Sequence, residues 1–221
     1  MTNEPELDNT KGNCNGFKAR WEMFGDTTLS VDIFKNSDQS IAPQITRLQG
    51  ADPKPDFVYL CSYNPGGIMA VRQLRAAGVE IPILSNGALD GSWWKESVPE
   101  LSNFYYTVWS SMFGDNPWPG VEEFYAAYEE RYGEPSIHAL AVYGHAALTL
   151  WAKAANAAGT TDGPAVVAEL EKLVNEPTLG GPTTYTSKVH YGSARPMVMI
   201  EVQNWQHRVM GSHATSILPK L

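Results

Sequence analysis

Cysteine is nearly absent from this chain: Cys14 and Cys61 are the only two in 221 residues. A framework of several disulfides is excluded, and two cysteines on a chain this long are expected to be free or buried, not paired. Long apolar runs are missing too, since none approaches the roughly 20 residues needed to cross a bilayer. Residues 1–16 are polar and acidic, with neither a basic leader nor an apolar core. They read as a disordered segment and not as a signal peptide. Positive charge is scarce and scattered: 16 Lys+Arg stand against 24 Asp+Glu, a formal net charge of -8. With no basic cluster, nucleic acid is not an expected partner.

The absences extend to chemistry. Gly66-Gly67 is no phosphate loop, because the Walker pattern and the spaced dinucleotide glycines are both missing. His138 and His145 stand seven apart on one expected helix, too far to share a metal without a third ligand, and His190, His207 and His213 give no metal spacing. No Gly-x-Ser-x-Gly elbow occurs, and neither cysteine has an identifiable histidine partner. A carbohydrate hydrolase would need paired carboxylates at strand ends, and those ends carry Tyr, Asn and Gly instead. The reading is a binding protein with no catalytic residue, cofactor or metal.

What is present is most informative between residues 45 and 89. Pro55-Asp56-Phe57-Val58-Tyr59-Leu60-Cys61 predicts a buried strand, residues 68–77 an amphipathic helix closed by Gly78, and residues 79–84 a second strand ended by the turn Ser85-Asn86-Gly87. Strand, crossover helix, strand is the parallel-sheet unit, and ligands of such sheets sit at the strands' carboxyl ends. Tyr63, Asn64 and Asn86 stand at those ends. Tyr63 can stack on a ligand and bond it through its hydroxyl, or merely pack over the loop. Asn86 can bond a ligand or serve the turn. For Asn64 a helix cap is the plainer role, as it is for Asp90, which is expected to open the next helix.

Elsewhere, Phe17, Trp21 and Phe24 recur at helical spacing, residues 27–34 alternate as a strand, and Ser37-Asp38 is expected to open a helix with Pro43 in its first turn. A short helix is expected over 90–98 and an aromatic strand over 103–109. The loop at 114–120 is the best boundary in the chain. Beyond it the pattern predicts helices over 121–131, 136–158 (nearly apolar, so buried on most sides) and 162–174. Short strands follow over 183–186, 196–204 and 206–210, the last two able to pair as a hairpin.

These pieces, in this order, resemble the branched-chain amino acid (Leu/Ile/Val) type of periplasmic solute-binding protein of ABC transporters. The likeness is carried by Ile45-Thr46-Arg47-Leu48, Pro55-Asp56-Phe57-Val58-Tyr59, Arg72-Gln73-Leu74-Arg75-Ala76-Ala77-Gly78 and Ile81-Pro82-Ile83-Leu84. It continues in Phe124-Tyr125-Ala126-Ala127-Tyr128, Arg131-Tyr132-Gly133, Tyr143-Gly144-His145-Ala146-Ala147-Leu148, and Gly180-Gly181 with Tyr185 and His190. The resemblance implies an α/β fold of the type I periplasmic-binding class, with parallel sheets flanked by helices in two lobes joined by hinge strands. It implies a small polar solute, such as an amino acid or amide, held between the lobes, and a membrane permease as partner. The same fold also serves ligand sensing in receptors and amide-responsive regulators.

On this likeness Tyr63 corresponds to the tyrosine that covers the ligand, and His138 to an aromatic contact at a helix start. Gly87 stands about where amino-acid-binding members place the acidic residue that receives the ligand ammonium. The first half of the first lobe and the central first strand of the second are not matched. The expectation is therefore an incomplete, truncated two-lobe architecture. Residues 17–110 form most of the second lobe, 111–204 the returning part of the first with the hinge crossings, and 205–221 a C-terminal strand and tail. A periplasmic or extracytoplasmic setting is implied for an intact member.

Overall fold

The computed structural model describes residues 2–3, 8–192 and 195–215. The chain divides into two compact units. One holds Met1–Thr107 with Glu201–His207, the other Val108–Ile200 with Arg208–Leu221.

In the first unit, β3 (Val58–Leu60), β4 (Ile83–Asn86) and the start of β5 (Phe104–Val108) pair in parallel, with Val58 opposite Ile83 and Ile83 opposite Phe104. Alternate residues of these strands are fully buried, among them Leu60, Ile83, Phe104 and Tyr106. The strand expected over 79–84 begins later, at Ile83, and runs through Asn86. Val79, Ile81 and the carbonyls of Ser102 and Asn103 are instead used by Arg75: its Nη1 donates to the carbonyls of Val79 and Ile81, its Nη2 to those of Ser102 and Asn103 at 2.9 and 3.0 Å. Burial draws the Arg75 pKa down and Glu80 pushes it back up.

Helix α3 (Gly66–Ala76) buries Ile68, Met69, Val71 and Leu74, and the chain leaves it through Gly78 at φ 74. Helix α2 (Ala42–Gly50) has Pro43 in its first turn, as expected, but starts later than Ser37-Asp38. Asp38 is not its cap. It accepts from Lys35 N–H, while Gln73 Oε1 accepts from Ile41 N–H and holds the entry to the helix. Of the strand expected over 27–34, only β2 (Ile33–Phe34) forms, paired in parallel with β1 (Thr2–Asn3).

Two expectations fail at the N-terminus. Helix α1 (Asp8–Met23) includes the helical stretch expected around Phe17 and Trp21 but begins earlier, in residues read as disordered, and Cys14 is joined to Cys61 in a disulfide. Residues 1 and 4–7 of that expected segment lie outside the described residues, as do 216–221 of the expected tail. Before Phe17 the helix has no apolar periodicity of its own. It is held by the bond to β3's end and by ring contacts: Phe17 stacks on Tyr59 at 3.8 Å, and Trp21 meets Phe57 edge-on at 5.1 Å.

Burial pushes the Tyr59 phenol above its ordinary 10.0. The protonated form is favoured by folding, so its contribution is complete below pH ~10 and is lost as pH rises through the folded value. Unfolding midpoints above pH ~10 should fall more steeply in the natural chain than in Tyr59→Phe. Parallel slopes for the two proteins would disprove this.

In the second unit, α4 (Val121–Tyr132) ends at Gly133 with φ 76, and α6 (Gly163–Leu170) is capped by Asp162, which accepts from Ala165 N–H. Helix α5 (Ala141–Ala158) starts after His138, so His138 and His145 do not share a helix. It is not buried on most sides either: Val142, Ala146, Leu150 and Ala154 form a four-residue-spaced buried stripe, and Leu148 and Trp151 are exposed. Trp109 stacks on Tyr143 at 3.9 Å, and the buried Arg195 lies 3.8 Å over the Trp109 ring with Nη2 donating to Thr183 Oγ1.

The strand expected over 183–186 is reduced to single bridges, Glu176 with Thr183 and Thr186 with Val189. Strands β6 (Met197–Gln203) and β7 (Gln206–His213) are neighbours, as expected, joined by Asn204 and Trp205 with φ of 48 and 59. Positive φ at both turn residues suits a tight hairpin between twisted strands. No helix of the described residues is long and apolar enough to cross a membrane.

Candidate functional site

In the first unit the register places Leu60 beside Ser85 and Asn86 beside Thr107, so β3, β4 and β5 end along one edge. The edge is fixed from below by Ser85, whose hydroxyl donates to the Leu60 carbonyl at 3.0 Å. Tyr63 is half-buried on the loop leaving β3. Its carbonyl accepts from Gly67 N–H at 2.7 Å, which ties the loop to the first turn of α3. A Cβ on Gly67 would lie 3.1 Å from the Leu89 side chain and from Ser62 Oγ, so a larger residue there would press on both.

Asn86 closes β4 and caps the short 3-10 turn Gly87–Leu89, its Oδ1 accepting from Ala88 N–H at 3.0 Å. That bond uses the amide oxygen and leaves the NH2 group as the part suited to donate to a ligand. Turn chemistry and ligand contact, weighed as alternatives from sequence, are therefore compatible at this residue.

Asn64 is exposed and does not cap α3; the N-terminal position falls to Pro65. The donor at the helix start, Gly66 N–H, is instead met by Asn36 Oδ1 at 2.7 Å. Asn64 lines a cavity of about 350 Å³ with Asn36, Arg72 and Trp93. Asp90 opens no helix. It is fully buried, its N–H donates to the Gly87 carbonyl, and its own carbonyl accepts from Trp93 Nε1 at 3.0 Å. The helix expected over 90–98 shrinks to a 3-10 turn, Lys95–Ser97. Asp90 is thus a buried support of the Gly87–Leu89 turn. His138 belongs to the second unit, half-buried on the loop before α5, with its carbonyl accepting from Ser136 Oγ at 2.8 Å.

Asn36 is the residue that sequence reasoning missed. It acts on Gly66 across 30 positions, and no local spacing announces such a pairing. Among the described residues, no group of three His, Cys, Asp or Glu could hold a metal ion.

A parallel sheet with polar residues along its carboxyl edge is the plan of an α/β solute-binding domain. The chain belongs to the periplasmic binding protein family, which matches residues 10–206. Among solved structures it resembles the leucine-binding protein LivK of Thermotoga maritima, at 22% identity and a TM-score of 0.81, covering 95% of this chain and 58% of that one. It also resembles the branched-chain amino acid transporter substrate-binding protein LivJ of Streptococcus pneumoniae, solved with isoleucine, at 19% identity and a TM-score of 0.77, covering 98% and 59%. A solute-binding protein of an ABC transporter from R. palustris, solved with benzoate, matches at 18% and 0.73, covering 93% and 56%. This chain therefore spans less than three fifths of the length of these structures, and its fold is an incomplete type I periplasmic-binding fold. No curated protein matches the chain.

Proposed function

We propose that this chain is part of the substrate-binding component of an ABC transporter, and that its first unit supplies one face of a site for a small polar solute such as an amino acid or an amide. The observation that carries the reading is the shared carboxyl edge of β3 and β4, with Tyr63 on one loop and Asn86 closing the next strand. Tyr63 covers the solute and Asn86 donates to it through its amide. Asn64 contacts it from the rim, and Asp90 keeps the Gly87–Leu89 turn in place. The site binds without transforming its ligand and hands it to a membrane permease on the extracytoplasmic side. The family, and solved relatives bearing isoleucine and benzoate, support a small solute with a polar group.

The test is a nuclear magnetic resonance titration of the labelled chain with leucine, isoleucine and acetamide in turn. At least one should shift the backbone amides of Tyr63, Asn86 and Gly87, and Tyr63→Ala should weaken that binding by about tenfold or more, a loss near 1.4 kcal/mol. Unchanged affinity in the variant, or shifts confined to other residues, would refute the assignment.

A further inference from the structure

Arg195 has no part in the proposed solute site, and its surroundings in the second unit are unlike those of a surface arginine. It is buried, with 7% of its surface exposed. Its Nη2 donates to Thr183 Oγ1 at 2.6 Å, but Nε and Nη1 are buried without an acceptor among the described residues. Arginine keeps its charge at any ordinary pH, and a buried charge is tolerated when it is paired and hydrogen-bonded. Burial draws the Arg195 pKa down, and the groups that push it back up are the phenols of Tyr185 and Tyr143, not a carboxylate. The Thr183 hydroxyl is neutral. The Trp109 ring, with Cζ 3.8 Å from its centroid, meets the flat of the cation and leaves the N–H groups on its rim unmet.

Two glycines shape the place. A Cβ on Gly192 would lie 3.0 Å from Nη2 and 3.1 Å from Cζ and Nε. One on Gly180 would lie 3.1 Å from Trp109 Cε3 and 3.7 Å from Nη1. Neither glycine sits at a positive φ, so backbone conformation does not call for glycine at either position. What both spare is room beside the guanidinium. Trp109, Tyr143 and Tyr185 are half-buried, so the aromatic neighbours of the group reach the surface.

We infer that Arg195 anchors an anion site in the second unit, and that its occupant is the carboxylate of a small monoanion. The carboxylate oxygens accept from the unmet N–H groups and supply the counter-charge that the described residues do not. A single cation favours a monoanion, because a phosphate dianion would bring a second negative charge with nothing to meet it. The aromatic rings suit a ligand with a short apolar body. The proposal uses residues of the second unit only and does not depend on the solute reading.

Acetate is the probe. It is titrated into the full nitrogen-labelled chain, replacing chloride at constant ionic strength, and the Arg195 Nε–H signal is followed by nuclear magnetic resonance. The signal should move and saturate in the millimolar range, as one or two charge-assisted bonds allow. Gly192→Ala, whose methyl group crowds the guanidinium, should weaken the binding by about tenfold or more. Gly144→Ala, where a Cβ meets nothing, should leave it unchanged. No movement when acetate replaces chloride, movement that grows without saturating, or undiminished affinity in Gly192→Ala would overturn the proposal. The amides of Tyr63 and Asn86, followed in the same spectra, report the first unit separately, so failure here and failure of the solute reading are told apart.

Discussion

Reducing the bond between Cys14 and Cys61 is expected to lower the chain's stability by about 4 kcal/mol, the loop-closure estimate for a link of this span. The two cysteines are 47 positions apart, so the bond removes a large share of the unfolded chain's freedom. It also anchors a helix that has few other holds. Thr10 is the only fully buried residue of α1, and Phe17 and Trp21 reach their ring partners only while the helix stays at β3. Denaturant titration with and without reductant measures the effect, and Cys14→Ala with Cys61→Ala should reproduce it. A midpoint that reductant leaves unmoved would show the bond to be idle. Such a link is kept in oxidising compartments, which agrees with the proposed extracytoplasmic setting.

The second large effect is expected at Arg75. Its two Nη atoms serve four main-chain carbonyls at the entrances to β4 and β5. Each such bond has a charged donor, and cutting the side chain back leaves acceptors without partners. Arg75→Ala should therefore cost about 3 kcal/mol, and Arg75→Lys about 2, since an ammonium is a point and cannot span the same four oxygens. The denaturant midpoint of each variant decides this. If lysine restored full stability, charge alone would explain the residue, and the fork geometry would be irrelevant.

Legibility in the sequence followed the range of the forces involved. The β3–α3–β4 unit could be read because apolar spacing, Gly78 and the turn at Asn86-Gly87 are local signals. The helix expected from 162 likewise begins there, with Asp162 as the cap of α6. Failures came where distant residues decide. Cys14 lies in a polar segment with nothing to suggest a helix, and only its partner 47 positions on explains why that helix stands. Asn64 was read as a cap from its neighbours, yet Asn36 reaches the helix donor first. Asp90 carries the local mark of a helix start, but burial beside Trp93 and Trp94 ends the segment in a short turn. The burial of α5 was overread because an alanine-rich composition shows apolarity without showing what covers it.

The sheet's alternation has an evolutionary consequence. Positions that hold the strands together, such as Leu60, Ile83 and Phe104, are inaccessible, while the residues that would meet a solute lie at the last ladder pair, as Asn86 does, or beyond it, as Tyr63 does. Selection can redraw the edge one side chain at a time without disturbing the scaffold. A lineage built on this plan can change what its edge meets while inheriting the same architecture.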